Sequence, residues 1–565
     1  MADKSKKEDF HSAGKNNAWH ILRKLQQHSR ANIPAMMAQR SMSTFTLQQE
    51  PYPDEASSTV FVTVYPQNPF VGEPEIRRML AREIQSGLIN SRVQVQDSRG
   101  IVVEPDAEGH YLYWPGTPQF DQMNAFYYTT YTLRMFERYA HRTLPWAFPT
   151  ARITIDPHAG DSGNAFYNEQ ARLLGFHTFK DSEGEEHATA QSADIVAHEA
   201  AHAVLDGIRD LYNESFGLGG RAFHESFGDI AAMLVALHDD SLIRRLLSWT
   251  NGDLRMTNFI SEVAENLTKE LKDNAHYQEH TIYLRNAFNF LRAKPFDELP
   301  YQPNNPETEL AREEHNYSRL FTGAVYDILV GIYEHHKKEH KQPNFVALLR
   351  ARDILGSMLI MAIELGPVGE LYFEDMARAF LTADGILFEG AYQAILREVF
   401  DKRAILLAND SDEHLKTLAA LPDVRLPEIM TNALAAAIFL ENEVLSALKI
   451  TPQHELLPMS TYRNAEGYAF MTFFASQTVK LEGEQFGILQ NTQVDVFGGL
   501  TLLFDRDDRL RSAVYRPVND TDIKQIHITI TDMLQHNKVV NDLFPPGTKI
   551  KRIISINRGK LSHLP

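Results

Sequence analysis

ADIVAHEAAHAVLDGIR, residues 193–209, ends on an arginine and is otherwise apolar or small except for Asp194, His198, Glu199, His202 and Asp206. A stretch of that make-up reads as a helix buried on most sides. Asp194, His198, His202 and Asp206 stand four apart on one slowly drifting stripe, so both imidazoles can meet a single ion. Glu199 lies about 100° round the helix from His198, clear of the ion and able to reach a water held beside it. Two histidines and three carboxylates inside an apolar helix are costly as packing alone, because buried polar groups need specific partners or a metal.

The H-E-x-x-H string alone is a moderate signal, and its surroundings sharpen it. The extended metzincin pattern needs glycine at 205 and histidine at 208; Leu205 and Ile208 stand there, which excludes that branch. Downstream, HESFGDIAAML, residues 224–234, opens a second apolar helix with Glu225 and Asp229 four apart. Glu225 can complete a His2Glu zinc site with a fourth position for water, or it can be a solvated carboxylate at a helix start. Asp229 can accept the free N–H of a ligating histidine, and Asp206 is read as a further support behind the ligands.

Outward from this pair of helices, the chain divides by pattern. FVTVYP, RVQVQ, GIVVEP and HYLYWPG, between Val60 and Pro115, read as strands. Met123, Phe126, Leu133, Phe136 and Ala140 predict one long helix between Gln119 and Arg142. From Ala193 to about Leu407 the pattern is mostly helical; beyond the acidic break at Asn409–Glu413, YAFMTFFASQTVKL, QVDVFGGLTLLF and KIKRIISI alternate as strands. DRDDR, Asp505–Arg509, reads as a polar hairpin turn between two of them. Four segments follow: a mobile arm at 1–55, a β-rich lobe at 56–210 ending in the metal helix, a helical lobe at 211–407, and a C-terminal α+β domain at 408–565. Strands first and helices second is the signature of an α+β fold, with a site in the groove between.

The 565 residues carry 56 Lys+Arg against 74 Asp+Glu, a net charge of −18, which provides no basic footprint for nucleic acid. No apolar run approaches the ~18 residues of a spanning helix. With no cysteine, any metal must sit on His, Asp and Glu. The basic start at Lys4, Lys6 and Lys7 is not followed by an apolar run of about 7–15 residues, so a cytoplasmic protein is expected, with non-classical export as the alternative.

DIVAHEAAHAVLD, YNESFG and HESFGDI together resemble the active-site helices of the thermolysin family of zinc metallopeptidases, gluzincins in which HExxH precedes a Glu-x-x-x-Asp helix. The likeness spans roughly residues 90 to 405 and is strongest from 164 to 230. It implies a two-lobe zinc endopeptidase with His198, His202 and Glu225 as ligands, Glu199 as general base, and Asp229 orienting His198. By the same resemblance Asn164 and Ala165, in NAFY, lie on the edge strand that holds substrate backbone, although the run also reads as an ordinary strand burying Phe166. Tyr212 and His315 are implied as oxyanion stabilisers, and Arg255 as the arginine that grips a substrate carbonyl.

The departures carry information too. Where the family has an acidic calcium ligand seven residues after Asp229, this chain has Ala236, so one zinc per chain and no double calcium site are expected. Two alternatives stand beside the endopeptidase. One is an aminopeptidase-type gluzincin, disfavoured because 23 positions separate His202 from Glu225 and no G-x-M-E-N-like segment precedes the metal helix. The other is a non-catalytic partner-binding protein on a metallopeptidase fold. The expected partner is a peptide or protein substrate, with a regulator or partner at the C-terminal domain.

Overall fold

A computed structural model describes residues 58–69, 71–180, 184–263, 285–305, 307–427, 433–535, 539–541, 554–557 and 560–563; for 212, 213, 263 and everything from 539 on it describes backbone alone. The expected arm at 1–55 lies outside the described residues. β1 (Thr59–Val64) and β2 (Glu75–Leu80) form an antiparallel pair. A mixed sheet follows, in which β3 (Val93–Val95), β4 (Ile153–Asp161), β6 (Leu173–Lys180) and β5 (Ala165–Asn168) lie side by side in that order, and β7 (Glu186–Ala188) also pairs with β6. β3, β4 and β6 are parallel, whereas β5 runs antiparallel to β6 at one end of the order.

Helix α1 (Pro118–Ala140) packs on this sheet with Met123, Phe126, Leu133, Phe136 and Ala140 buried, the face its periodicity predicts. Pro118 starts it and the Thr117 hydroxyl accepts the Phe120 N–H, both favourable at a helix N-terminus. GIVVEP and HYLYWPG, by contrast, form no strand. Only Tyr111 bridges to β1, through Tyr111 N–H to the Phe61 carbonyl at 2.8 Å. Pro105 and Pro115 lack ladder donors; Val103 and Tyr111 are buried in the core while Val102 and Trp114 stay exposed, so these segments bury alternate side chains without joining a ladder.

The chain then turns helical: α2 (Ala193–Ile208), α3 (Leu211–Glu214), α4 (Leu218–Leu237), α5 (Asp240–Trp249), α6 (Glu314–Lys338), α7 (Asn344–Leu365), α8 (Phe373–Leu387) and α9 (Gln393–Lys402). Two-residue strands β8 (Glu262–Val263) and β9 (Arg285–Asn286) pair between α5 and α6. α2 and α4 are buried along almost their whole length, as expected of helices that carry charge only where it is used. No described helix is long and apolar enough to cross a membrane.

Beyond Leu407 come α10 (Ala408–Ala419), α11 (Ala433–Phe439), a π turn, α12 (Leu445–Leu448), and a sheet ordered β10 (Leu457–Arg463), β11 (Ala469–Lys480), β12 (Gln493–Phe504), β16 (Lys560–His563), β15 (Ile554–Asn557), β14 (Val539–Asn541). β13 (Leu510–Arg516) pairs with β12 across a turn in which Asp505 N–H donates to the Arg509 carbonyl at 2.9 Å; α13 (Asp520–Gln535) follows. The fold is thus a mixed α+β one. Tyr468, Phe470 and Leu503 join the core that runs from Val62 to Leu406, and Phe216 is buried among Leu481, Phe486 and Ile526.

One loop ties the halves together. The Glu370 carboxylate accepts from Ser215 Oγ at 2.8 Å, Phe216 N–H at 2.6 Å and Gly217 N–H at 2.8 Å, capping the start of α4. On its other side Arg516 reaches the Glu370 carbonyl and Tyr372 Oη donates to Asp522 at 2.8 Å. Gly219 lies against the Leu371 carbonyl with no room for a side chain. Burial pushes the Glu370 carboxyl up to about 7, against the pull of its three donors. The folded value lies above the unfolded one of about 4.3, so the protonated form stabilises the fold below that pH and the contribution fades as pH rises toward 7. Between pH 4 and 8 the native protein is expected to lose on the order of 3 kcal/mol that Glu370→Gln does not lose, read as the difference in unfolding midpoints. Parallel pH curves for the two proteins would contradict this.

Candidate metal centre

α2 presents His198, Glu199 and His202, and α4 presents Glu225 and Asp229. All five are less than a tenth exposed. His198 Nε2 lies 3.4 Å from Glu225 Oε2 and His202 Nε2 lies 3.6 Å from Glu225 Oε1. The two imidazoles stand 4.8 Å apart at 90°, and one ligand atom from each of the three residues falls within 4.8 Å of the others. Gly228 makes this approach possible: a Cβ there would come within 2.5 Å of His198 Nδ1. The trio could hold a metal ion.

The charges around it fit a cation. Burial alone would raise the Glu225 carboxyl, but the His315 charge and the His198 hydrogen bond hold it well below the usual carboxylate range. Burial holds His202 well below the usual imidazole range, as a neutral donor of its lone pair. Burial also opposes charge on His198, yet its bonds to Asp229 and Glu225 raise it to about 10. Two carboxylates therefore recruit a positive charge at the point where two imidazole nitrogens converge. A His2Glu set is one of the donor sets that zinc takes in hydrolytic sites. Burial raises the Glu199 carboxyl to about 7.

Behind the trio stand residues in fixed positions. His198 Nδ1 is 3.2 Å from Asp229 Oδ1. The same carboxylate receives the Arg285 guanidinium, Nε at 3.0 Å and an Nη at 2.8 Å, and that Nη is 3.9 Å from Glu225. His202 Nδ1 is 3.3 Å from His224 Nδ1, and His224 Nε2 is 3.2 Å from Asp206. The sequence pattern singles out neither Arg285 nor His224. Arg285 has no local pattern to mark it, being 56 positions from Asp229; His224, immediately before Glu225 in an apolar helix, carries the same signal as the ligands.

His315, at the start of α6, is half-exposed on the open side of the trio, with Nε2 3.5 Å from Glu225 Oε2 and Nδ1 2.7 Å from Glu313 Oε1. Partial desolvation of its covered side opposes charge, but Glu225 and Glu313 raise it to about 9. Ala165 opens the edge strand β5 and the exposed Asn164 precedes it, its carbonyl accepting the His177 N–H at 3.1 Å. The Tyr212 side chain lies outside the described residues. Arg255 lies in an exposed turn, its N–H bonded to Asp253 at 3.0 Å; the buried guanidinium beside the trio is that of Arg285. Among the described residues one other group, Glu313, Glu314 and His315, could hold a metal, but Glu314 is paired with Arg221 at 3.1 Å. No protein-family model matches the chain, and no curated protein matches it.

Proposed function

We propose that the protein is a zinc-dependent peptidase that cleaves internal peptide bonds, built as a thermolysin-like pair of lobes at 56–210 and 211–407 that meet at the metal helix. The observation that carries this reading is the convergence of His198, His202 and Glu225 with Glu199 buried on the next helical position. Those three residues would hold the zinc, which when bound supplies Lewis acidity toward the scissile carbonyl and lowers the pKa of water toward about 7.

The chain's own groups do the rest. Glu199 takes the proton of the attacking water and passes it to the leaving amine, so no covalent intermediate is needed. His315 donates from the open side to the oxygen on which negative charge develops. Asp229, held by Arg285, keeps the His198 ring oriented. An extended substrate lies along β5, adding a strand at Asn164 and Ala165 on the edge that no described strand covers. The C-terminal region is proposed to limit access or select substrates: Asp532 on α13 pairs at 3.2 Å with Arg312, three positions before His315.

The test is metal analysis of the purified protein together with hydrolysis of peptides blocked at both ends. Cleavage of internal bonds that a chelator stops and zinc restores is expected. Cleavage restricted to peptides with a free amine would favour the aminopeptidase alternative, and zinc without turnover a partner-binding role.

A further inference from the structure

The two histidines of the trio differ in what stands behind them. His198 is backed by a carboxylate, Asp229, at 3.2 Å. His202 is backed by a third buried imidazole: its Nδ1 lies 3.3 Å from Nδ1 of His224. The far nitrogen of that ring, Nε2, is 3.2 Å from Asp206 Oδ1, and the Tyr167 hydroxyl on β5 stands beside the same carboxylate. His224 and Asp206 are almost or wholly closed to solvent.

Hydrogen-bond chemistry assigns the protons. A neutral imidazole has one N–H and one lone pair. His202 must keep its lone pair on Nε2 to serve as a ligand, so its proton sits on Nδ1 and His224 must accept it there. The His224 proton then sits on Nε2, facing Asp206. In this arrangement the His202–His224 hydrogen bond has one donor and one acceptor, and the remaining His224 N–H lies 3.2 Å from the Asp206 carboxylate as an electrostatic contact; with either ring in its other tautomer, two donors or two acceptors face each other.

We propose that His224 and Asp206 are positioning residues of the metal centre, a relay from His202 through His224 to Asp206 that locks His202 in the tautomer whose Nε2 faces the ion. The proposal rests on the metal reading above and adds to it a definite division of labour. On α4, position 225 supplies a ligand while position 224 holds another ligand in place from behind. On α2, Asp206 is one turn beyond His202 and anchors the far end of the relay, so the two helices are tied twice across the same contact. The buried carboxylate also draws the His202 proton outward through the intervening ring, which makes Nε2 a better donor to a cation.

His224→Phe keeps an aromatic ring there and removes both nitrogens; His224→Asn restores one acceptor, its amide oxygen, toward His202. Zinc affinity is read by competition with a chromophoric chelator, and site geometry by the visible absorption of the cobalt-substituted protein. Metal-free melting temperatures report whether each variant folds. His224→Phe is expected to bind zinc about 10–100-fold more weakly than the native protein with an altered cobalt spectrum, and His224→Asn to recover most of that loss. Equal zinc affinity and an unchanged spectrum in His224→Phe would overturn the relay while leaving the metal centre standing. Failure of His224→Asn to recover any of the loss would also overturn it, by reducing His224 to packing. If His224→Phe does not fold, Asp206→Leu carries the same comparison, and native affinity there overturns the relay. A native protein that takes up no zinc would defeat the metal reading and the relay with it.

Discussion

Glu199→Gln is expected to bind zinc like the native protein and to hydrolyse peptides about 10²–10⁴-fold more slowly, the range that a positioned general base contributes. The substitution keeps size and hydrogen-bonding shape, and Glu199 is outside the His198–His202–Glu225 trio, so the ligands stay intact. What is lost is a carboxylate able to accept a proton. Steady-state kinetics on a quenched-fluorescent peptide, with zinc content measured on the same sample, separates the two effects. Native-like turnover would remove Glu199 from the mechanism. Loss of zinc together with activity would mean that the residue belongs to the metal's support and not to the chemistry.

Arg285→Met is expected to cost about 3–5 kcal/mol of stability, the usual consequence of leaving one member of a buried ion pair without its partner. Asp229 is completely buried and takes three guanidinium contacts of 2.8–3.0 Å from Arg285. Burial alone would raise its carboxyl, and the Arg285 charge with the His198 bond lowers it instead, so removing the arginine leaves a buried anion without its main counter-charge. Neutralising that anion in the same chain, Asp229→Asn with Arg285→Met, should return much of the loss. Denaturant midpoints of the metal-free proteins measure both. A loss within about 0.5 kcal/mol, the ordinary range for a surface change, would show that the pair is not buried as described.

How much of the fold and the site can be read from residues alone follows from the distance over which each signal acts. Helical spacing turns sequence intervals into directions, so it puts His198 and His202 on one stripe, and Glu225 with Asp229 on another. The core face of α1 is legible for the same reason. Partners contributed from far along the chain are not: Arg285 comes from a two-residue strand, and nothing in its neighbours points to Asp229. His224 shares the ligands' signal of a histidine in an apolar helix, but no spacing rule assigns it a partner. GIVVEP and HYLYWPG mislead because burying alternate residues, Val103 and Tyr111, does not by itself make a ladder: among the described residues of these two runs only Tyr111 bridges to a strand. The strands after residue 457 are legible as strands, but their dependence on Phe216 and Val368 of the helical half is a matter of tertiary packing. Glu370, one loop carboxylate among many in the sequence, becomes a cap for α4 only when residues 215–217 fold onto it.

The most direct measurement is the metal content of the native protein purified without added metal, by mass spectrometry. The account predicts about one zinc per chain, removed by a chelator together with the cleavage of blocked peptides and restored with it on adding zinc. A protein that holds no metal and takes up none when zinc is supplied would contradict the assignment of His198, His202 and Glu225 as ligands.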